Sequence, residues 1–198
     1  MSASVTIGVL ALQGSFAEHL QALSSIEGVI ALQLKRRDQL AAVDAIILPG
    51  GESSAIGRLL RDFDMLDTMR QRIIDGLPVW GTCAGMILLA RDLDNDGRRH
   101  LGVMDIGVRR NAYGGQLDSF EAETVIPELG ARPFPLVFIR APALTRLGPA
   151  VRSLASIDGK PVACIEGAMV ATSFHPELTR DTRLHEWFAG LARSVADC

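Results

Sequence analysis

Three short stretches of this sequence place reactive side chains at spacings suited to nucleophilic chemistry. Cys83 stands in Gly81–Thr82–Cys83–Ala84–Gly85, with one glycine two residues before it and another two after. That is the spacing of a nucleophile elbow, a strand turning at once into a helix, with cysteine where hydrolases often carry serine. Glycines relieve the crowding of such a turn because they lack a Cβ. The turn lifts the sulfur clear of the sheet and sets it at the first turn of a helix, where unpaired N–H groups and the dipole favour negative charge. A sulfur nucleophile needs a base, and the base needs an orienting group. "FHPE" offers both: if Ala168–Phe174 is a strand, its period of two projects His175 and Glu177 to the same side, and Pro176 stiffens the link.

The third stretch is "LPGGES", Leu48 to Ser53, a strand running through two glycines into a helix. Acyl transfer needs two donors for the developing oxyanion. One is commonly the N–H after the nucleophile, here that of Ala84, and the second comes from a separate loop, for which Gly51 is the candidate. Each motif alone also has an ordinary reading: a buried structural cysteine, a strand–helix turn, a His–Glu pair serving the fold. Cys164, in "PVACIEG", reads as a structural thiol, since free cysteine is among the most buried residue types. His19 and His185 fall in helical patterns and His100 in a polar loop, which reads as surface or packing roles; His19, just behind "LALQG", is the least settled.

The surrounding pattern supplies elements to hold these residues. Val5–Leu10, Val29–Leu34 and Asp44–Leu48 read as strands, the last ending at the breaker Pro49–Gly51. Helical spacing joins Phe16, Leu20 and Leu23, runs through Leu59–Leu60, and joins Leu66, Met69 and Ile73 before Gly76 stops it. This βαβα order predicts an α/β fold of three layers, a mostly parallel sheet with helices on both faces. From Val103 to Phe174 short strands separated by "DG" and "EG" turns predict a more antiparallel second half. Leu184, Trp187, Phe188, Leu191, Ala192 and Val195 line one face of a final helix.

With 198 residues and no repeat or linker, the expectation is one domain over 1–198. Apolar residues at 48% and a net charge of −3 fit a soluble globular protein, and the paired arginines Arg36–Arg37 and Arg98–Arg99 read as solvated faces rather than a nucleic-acid footprint. No apolar run reaches membrane-spanning length. The first basic residue is Lys35, so "SVTIGVLAL" reads as a strand rather than a secretory segment. Three unevenly spaced cysteines do not make a disulfide framework, and the expected setting is the cytoplasm.

Together, "GTCAG" and "FHPE" resemble the class I glutamine amidotransferases, flavodoxin-like α/β enzymes whose Cys–His–Glu triad hydrolyses the side-chain amide of glutamine. Across "GVLALQGSFAEH", "LPGGES", "GTCAGMILLA", "RNAYGGQLDSFE", "FIRAP" and "FHPELT" the chain is similar to the family of glutaminase subunits of pyridoxal 5'-phosphate synthase. The triad motifs identify only the class; "RNAYGGQLDSFE" and "FIRAP" carry the narrower likeness.

The resemblance implies Cys83 as nucleophile, completed by His175 and Glu177. It implies a glutamine pocket lined by Gly51, Glu52, Ser53, Arg110, Ile139 and Arg140. It also places Gln13 near the active site, where a plain turn role stays open. The implied partner is the ammonia-accepting core subunit of the synthase, with no metal and no cofactor. Tyr113 and Gly115 depart from the "RNAFGRQ" common in relatives, and Ser54–Ala55 replace threonines. Rival readings are the glutaminase of imidazole glycerol phosphate synthase, a cysteine peptidase or γ-glutamyl hydrolase on a similar sheet, and a non-catalytic flavodoxin-like module.

Overall fold

The computed structural model describes residues 4–94, 97, 99–110 and 119–196. Its first half alternates as the periodicity predicts: β1 (Val5–Leu10), α1 (Phe16–Ser24), β2 (Val29–Leu34), β3 (Ala45–Leu48), α2 (Ser53–Asp62), α3 (Leu66–Ile74), β4 (Val79–Thr82) and α4 (Ala84–Leu89). Eight strands follow: β5 (Ala90–Leu93), β6 (Met104–Arg109), β7 (Ser119–Thr124), β8 (Phe134–Ile139), β9 (Ala143–Leu147), β10 (Arg152–Ile157), β11 (Lys160–Glu166) and β12 (Met169–Thr172). Helix α5 (Arg183–Ala196) closes the described chain.

Seven strands form one sheet in the order β10-β11-β12-β4-β3-β1-β2. The five from β12 to β2 are mutually parallel, while β10, β11 and β12 pair antiparallel. A three-stranded sheet, β5-β6-β9, and the hairpin β7–β8 stand apart from it. The α/β expectation with a more antiparallel second half therefore holds.

The central strands are apolar on both faces because both are covered. Along β3, Ile46 and Leu48 pack into the layer of α2, α3 and α4, while Ala45 and Ile47 pack into the layer of α1 and α5. A slip of one residue would swap these sets, so the alternation fixes the register. Helix α3 stops at Gly76 through paired bonds, Gly76 N–H to Ile73 O at 3.1 Å and Leu77 N–H to Arg72 O at 2.9 Å, with Gly76 at φ 104°.

Two details differ from the pattern-based reading. Val195, expected on the buried face of α5, is exposed, whereas Ala189 and His185 are buried there. His100, read as a polar-loop residue, is buried beside Gly57 of α2.

Candidate active site

Strands β1, β3, β4 and β12 are parallel neighbours, so their carboxyl ends share one edge of the sheet, where open α/β sheets hold ligands. The loop after β1 carries Gln13 and Ser15, that after β3 carries Gly50 to Glu52 and leads into Ser53 of α2, β4 runs into Cys83, and the segment after β12 reaches His175. Residues far apart in sequence meet there because the strands that deliver them are adjacent.

Cys83 occupies the turn from β4 into α4 at φ 49°, a conformation uncommon for a side-chain-bearing residue and strained of the kind that gathers at functional sites. The turn is fixed from below by the Cys83 N–H, which donates to Thr172 O of β12 at 2.8 Å. The flanking glycines are steric requirements: a Cβ on Gly81 would strike the Gly85 backbone, and one on Gly85 would strike Leu48 O of β3. The sulfur lies 3.9 Å from the Ile139 carbonyl oxygen at the end of β8.

His175 and Glu177 meet, but not by strand periodicity. Strand β12 ends at Thr172, and His175 precedes a single 3-10 turn over Pro176–Leu178. The turn opens with proline, which suits the first helical position, and brings Glu177 back beneath the imidazole. The His175 Nδ1–H donates to Glu177 Oε1 at 2.7 Å, and the His175 N–H donates to Val137 O of β8 at 2.8 Å. Burial disfavours the imidazolium, but interaction with the Cys83 sulfur and the bond and charge of Glu177 outweigh it and raise the His175 pKa to about 10. Burial likewise opposes ionisation of Glu177; the neighbouring His19, the bonds from His175 and Ser15 and the His175 charge prevail and hold it down at about 2.

A cavity of about 370 Å³ opens over Cys83, Ala84 and His175. Every other predicted pocket residue lines it: Gly51, Glu52, Ser53, Arg110, Ile139 and Arg140. Glu177 does not, lying buried beneath His175. Arg110 donates to Ser54 Oγ at 3.1 Å and stands 3.7 Å from Glu52 Oε2, so opposite charges sit together on the rim. Arg140 follows β8 in a left-handed turn at φ 43°. A Cβ on Gly50 would run into the His175 ring, so this glycine is dictated by close approach. Tyr113 and Gly115 lie outside the described residues.

Sequence patterns missed the support around these groups. The Ser15 hydroxyl donates to Glu177 Oε1 at 2.6 Å across 162 positions of sequence, and no local signal marks it. Gln13 is more than a turn residue: its Oε1 accepts the Glu52 N–H at 2.8 Å and holds the loop after β3. His19 and His185 are fully buried behind Glu177.

Residues 9–193 match the SNO glutamine amidotransferase family. The chain is 52% identical over 191 residues to the pyridoxal 5'-phosphate synthase subunit PdxT of Herpetosiphon aurantiacus, covering 94% of this chain and 100% of that protein. It is 51% identical over 183 residues to the protein of the same name from Ruminiclostridium cellulolyticum, covering 92% and 97%. A solved structure described as a glutamine amidotransferase superposes with a TM-score of 0.88 at 44% identity, covering 94% of this chain and 98% of the other. A likeness of this depth over nearly the whole chain means that the chain belongs to the SNO glutamine amidotransferase family.

Proposed function

We propose that this chain, as one domain over 1–198, is the glutaminase of a pyridoxal 5'-phosphate synthase, releasing ammonia from L-glutamine for the core subunit that consumes it. The reading rests on Cys83, at a strained elbow, lining one cavity together with His175, which is bonded at 2.7 Å to Glu177 buried beneath it. Relatives about half identical over nearly the whole chain are named as subunits of pyridoxal 5'-phosphate synthase, which supports a partner within that synthase. The absence of any helix long and apolar enough to cross a membrane, among the described residues, fits a reading as a cytoplasmic enzyme.

Glutamine enters with its α-amino acid group at the rim. There Arg110 and Arg140 suit the α-carboxylate, and Glu52 suits the α-ammonium. Gly51, Ser53 and Ile139 bound the side chain. The Cys83 sulfur, its proton held by His175, attacks the amide carbon. The resulting oxyanion accepts N–H bonds from Ala84 and Gly51, a contribution of about 10²–10³ in rate per donor. His175 then protonates the leaving nitrogen; the C–N bond breaks, releasing ammonia and leaving a thioester on Cys83. Water, deprotonated by His175, attacks the thioester, expelling the sulfur and giving glutamate. Glu177 stays ionised throughout and steadies the imidazolium.

The test is glutamate release from glutamine by the full chain, alone and with the pyridoxal 5'-phosphate synthase core. Release that depends on Cys83 and is stimulated by the core supports the reading. Cleavage of larger γ-glutamyl amides with indifference to the core favours the hydrolase rival instead.

A further inference from the structure

Two of the buried imidazoles outside the mechanism above lie behind Glu177. His19 on α1 and His185 on α5 are 0% and 1% exposed, and both flank Trp80 of β4, with ring centroids 5.8 Å and 5.0 Å from the indole. They form a chain leading to the site. His185 Nε2 lies 3.0 Å from His19 Nδ1. His19 Nε2 stands 3.2 Å from Thr82 Oγ1, next to the nucleophile, and 3.4 Å from Glu177 Oε2.

The two carboxylate oxygens of Glu177 are held unequally. Oε1 accepts both the His175 Nδ1–H and the Ser15 hydroxyl, at 2.7 and 2.6 Å. Oε2 is buried and makes no close hydrogen bond, although a buried carboxylate oxygen without a donor is costly. His19 Nε2 is the ring nitrogen facing it.

We propose that His19 is a positioning residue for the triad: its Nε2–H faces Glu177 Oε2, and His185, donating from Nε2 to His19 Nδ1, fixes that tautomer. The proposal rests on the glutaminase reading. The opposite tautomer would let the Thr82 hydroxyl donate to Nε2 but would still set that nitrogen's lone pair 3.4 Å from a buried carboxylate oxygen, a repulsion that the arrangement proposed here avoids. Both rings stay neutral, which one proton per ring requires. Burial lowers the His19 pKa against the opposing pull of Glu177, with His175 adding to the lowering and Glu18 opposing it, and burial plus His19 drive that of His185 to about 3. With the Nε2–H dipole beside Oε2 and two donors on Oε1, the carboxylate's orientation towards His175 is favoured from both sides. His19 touches neither substrate nor reacting atoms and acts only through Glu177.

Imidazole nitrogen NMR of the free full chain tests the assignment without substrate. The expected result is His19 protonated at Nε2 and bare at Nδ1; a His19 protonated at Nδ1 overturns the proposal. Kinetics of the chain with the synthase core supply the second arm. His19→Phe keeps bulk and removes the donor. It should lower kcat by about 10–100-fold, as outer-shell supports typically do, with KM held within about twofold. Losing the donor disfavours the carboxylate, so the acid limb of the pH–rate profile should move to higher pH. His19→Gln, which can return an N–H near the Nε2 position, should recover most of the rate. Wild-type kcat and acid limb in folded His19→Phe, or equal losses in the Phe and Gln variants, refute the role. If His19→Phe fails to fold, the wild-type tautomer decides. Absence of glutamate release by the wild-type complex strikes the glutaminase reading and leaves the NMR result to judge His19 alone.

Discussion

The Ser15 backbone N–H donates to the Gly50 carbonyl at 3.0 Å, tying the loop after β1 to the loop that carries the proposed oxyanion donor. The Gly50 carbonyl and the Gly51 N–H belong to one peptide unit, so any rotation that re-aims that N–H must break the bond from Ser15. The Ser15 hydroxyl meanwhile donates to Glu177. A single residue, unmarked in the sequence, thus touches both the loop of the proposed oxyanion donor and the carboxylate of the proposed triad.

Docking of the synthase core should act on this connection. Glutamate production at saturating glutamine is expected to rise at least about tenfold when the core is added, by favouring the competent loop. A change in amide exchange at Ser15 should accompany it. Equal turnover with and without the core counts against such a switch.

Cys83→Ala should abolish glutamine hydrolysis with the fold intact, as judged by circular dichroism and thermal melting. A glutamine-like diazo-ketone should label Cys83 and spare Cys164, which is fully buried and whose thiol is pushed up to about 12 by burial and, secondarily, by Glu166. Labelling found on Cys164 by peptide mass spectrometry, and retained in the Cys83 variant, would contradict the assignment.

His175→Asn should remove nearly all turnover, because it deletes the proton carrier facing the sulfur. Glu177→Gln should be milder, keeping an acceptor while losing the charge; loss of an orienting acid elsewhere costs on the order of 10⁴. Near-wild-type rates in both variants would make the pair structural.

Gly50→Ala places a methyl group against the His175 ring. A displacement of about 1 Å at such a site can cost about 10²-fold. The expected result is a large fall in kcat with a folded protein. A Gly50→Ala variant of wild-type kcat would show that the loop can retreat.

Stability should carry the signature of the same pair. Glu177 titrates near 2 in the folded chain against 4.5 for a free side chain, so its contribution is complete above pH 4.5 and disappears as pH falls through about 2. His175 titrates near 10 against 6.5, so its contribution is complete below pH 6.5 and disappears as pH rises through about 10. Urea unfolding of wild type and Glu177→Gln should differ most between pH 4.5 and 6.5 and converge towards pH 2. A difference independent of pH would mean that packing, not ionisation, separates the two.

The sequence by itself determined the local architecture and marked the residues proposed to carry the chemistry. Strands β1 and β2, the stop of α3 at Gly76 and the elbow around Cys83 were legible because each is dictated by neighbours in the chain: apolar runs, a glycine cap, a crowded turn. His175 and Glu177 were legible as residues but not as geometry. Their contact comes from a proline-led 3-10 turn rather than a strand, since hydrogen bonding of β12 to β4 ends at the pair Thr172–Thr82. Only the tertiary structure decided which distant groups surround them. Ser15, Gln13, His19 and His185 acquire their partners because β1 and β4 share one sheet and α1 and α5 one face of it. A helical pattern reports which side of a helix is buried but not what waits there. His19 and His185 therefore read as surface or packing residues until the fold set them, imidazole to imidazole, behind a buried carboxylate.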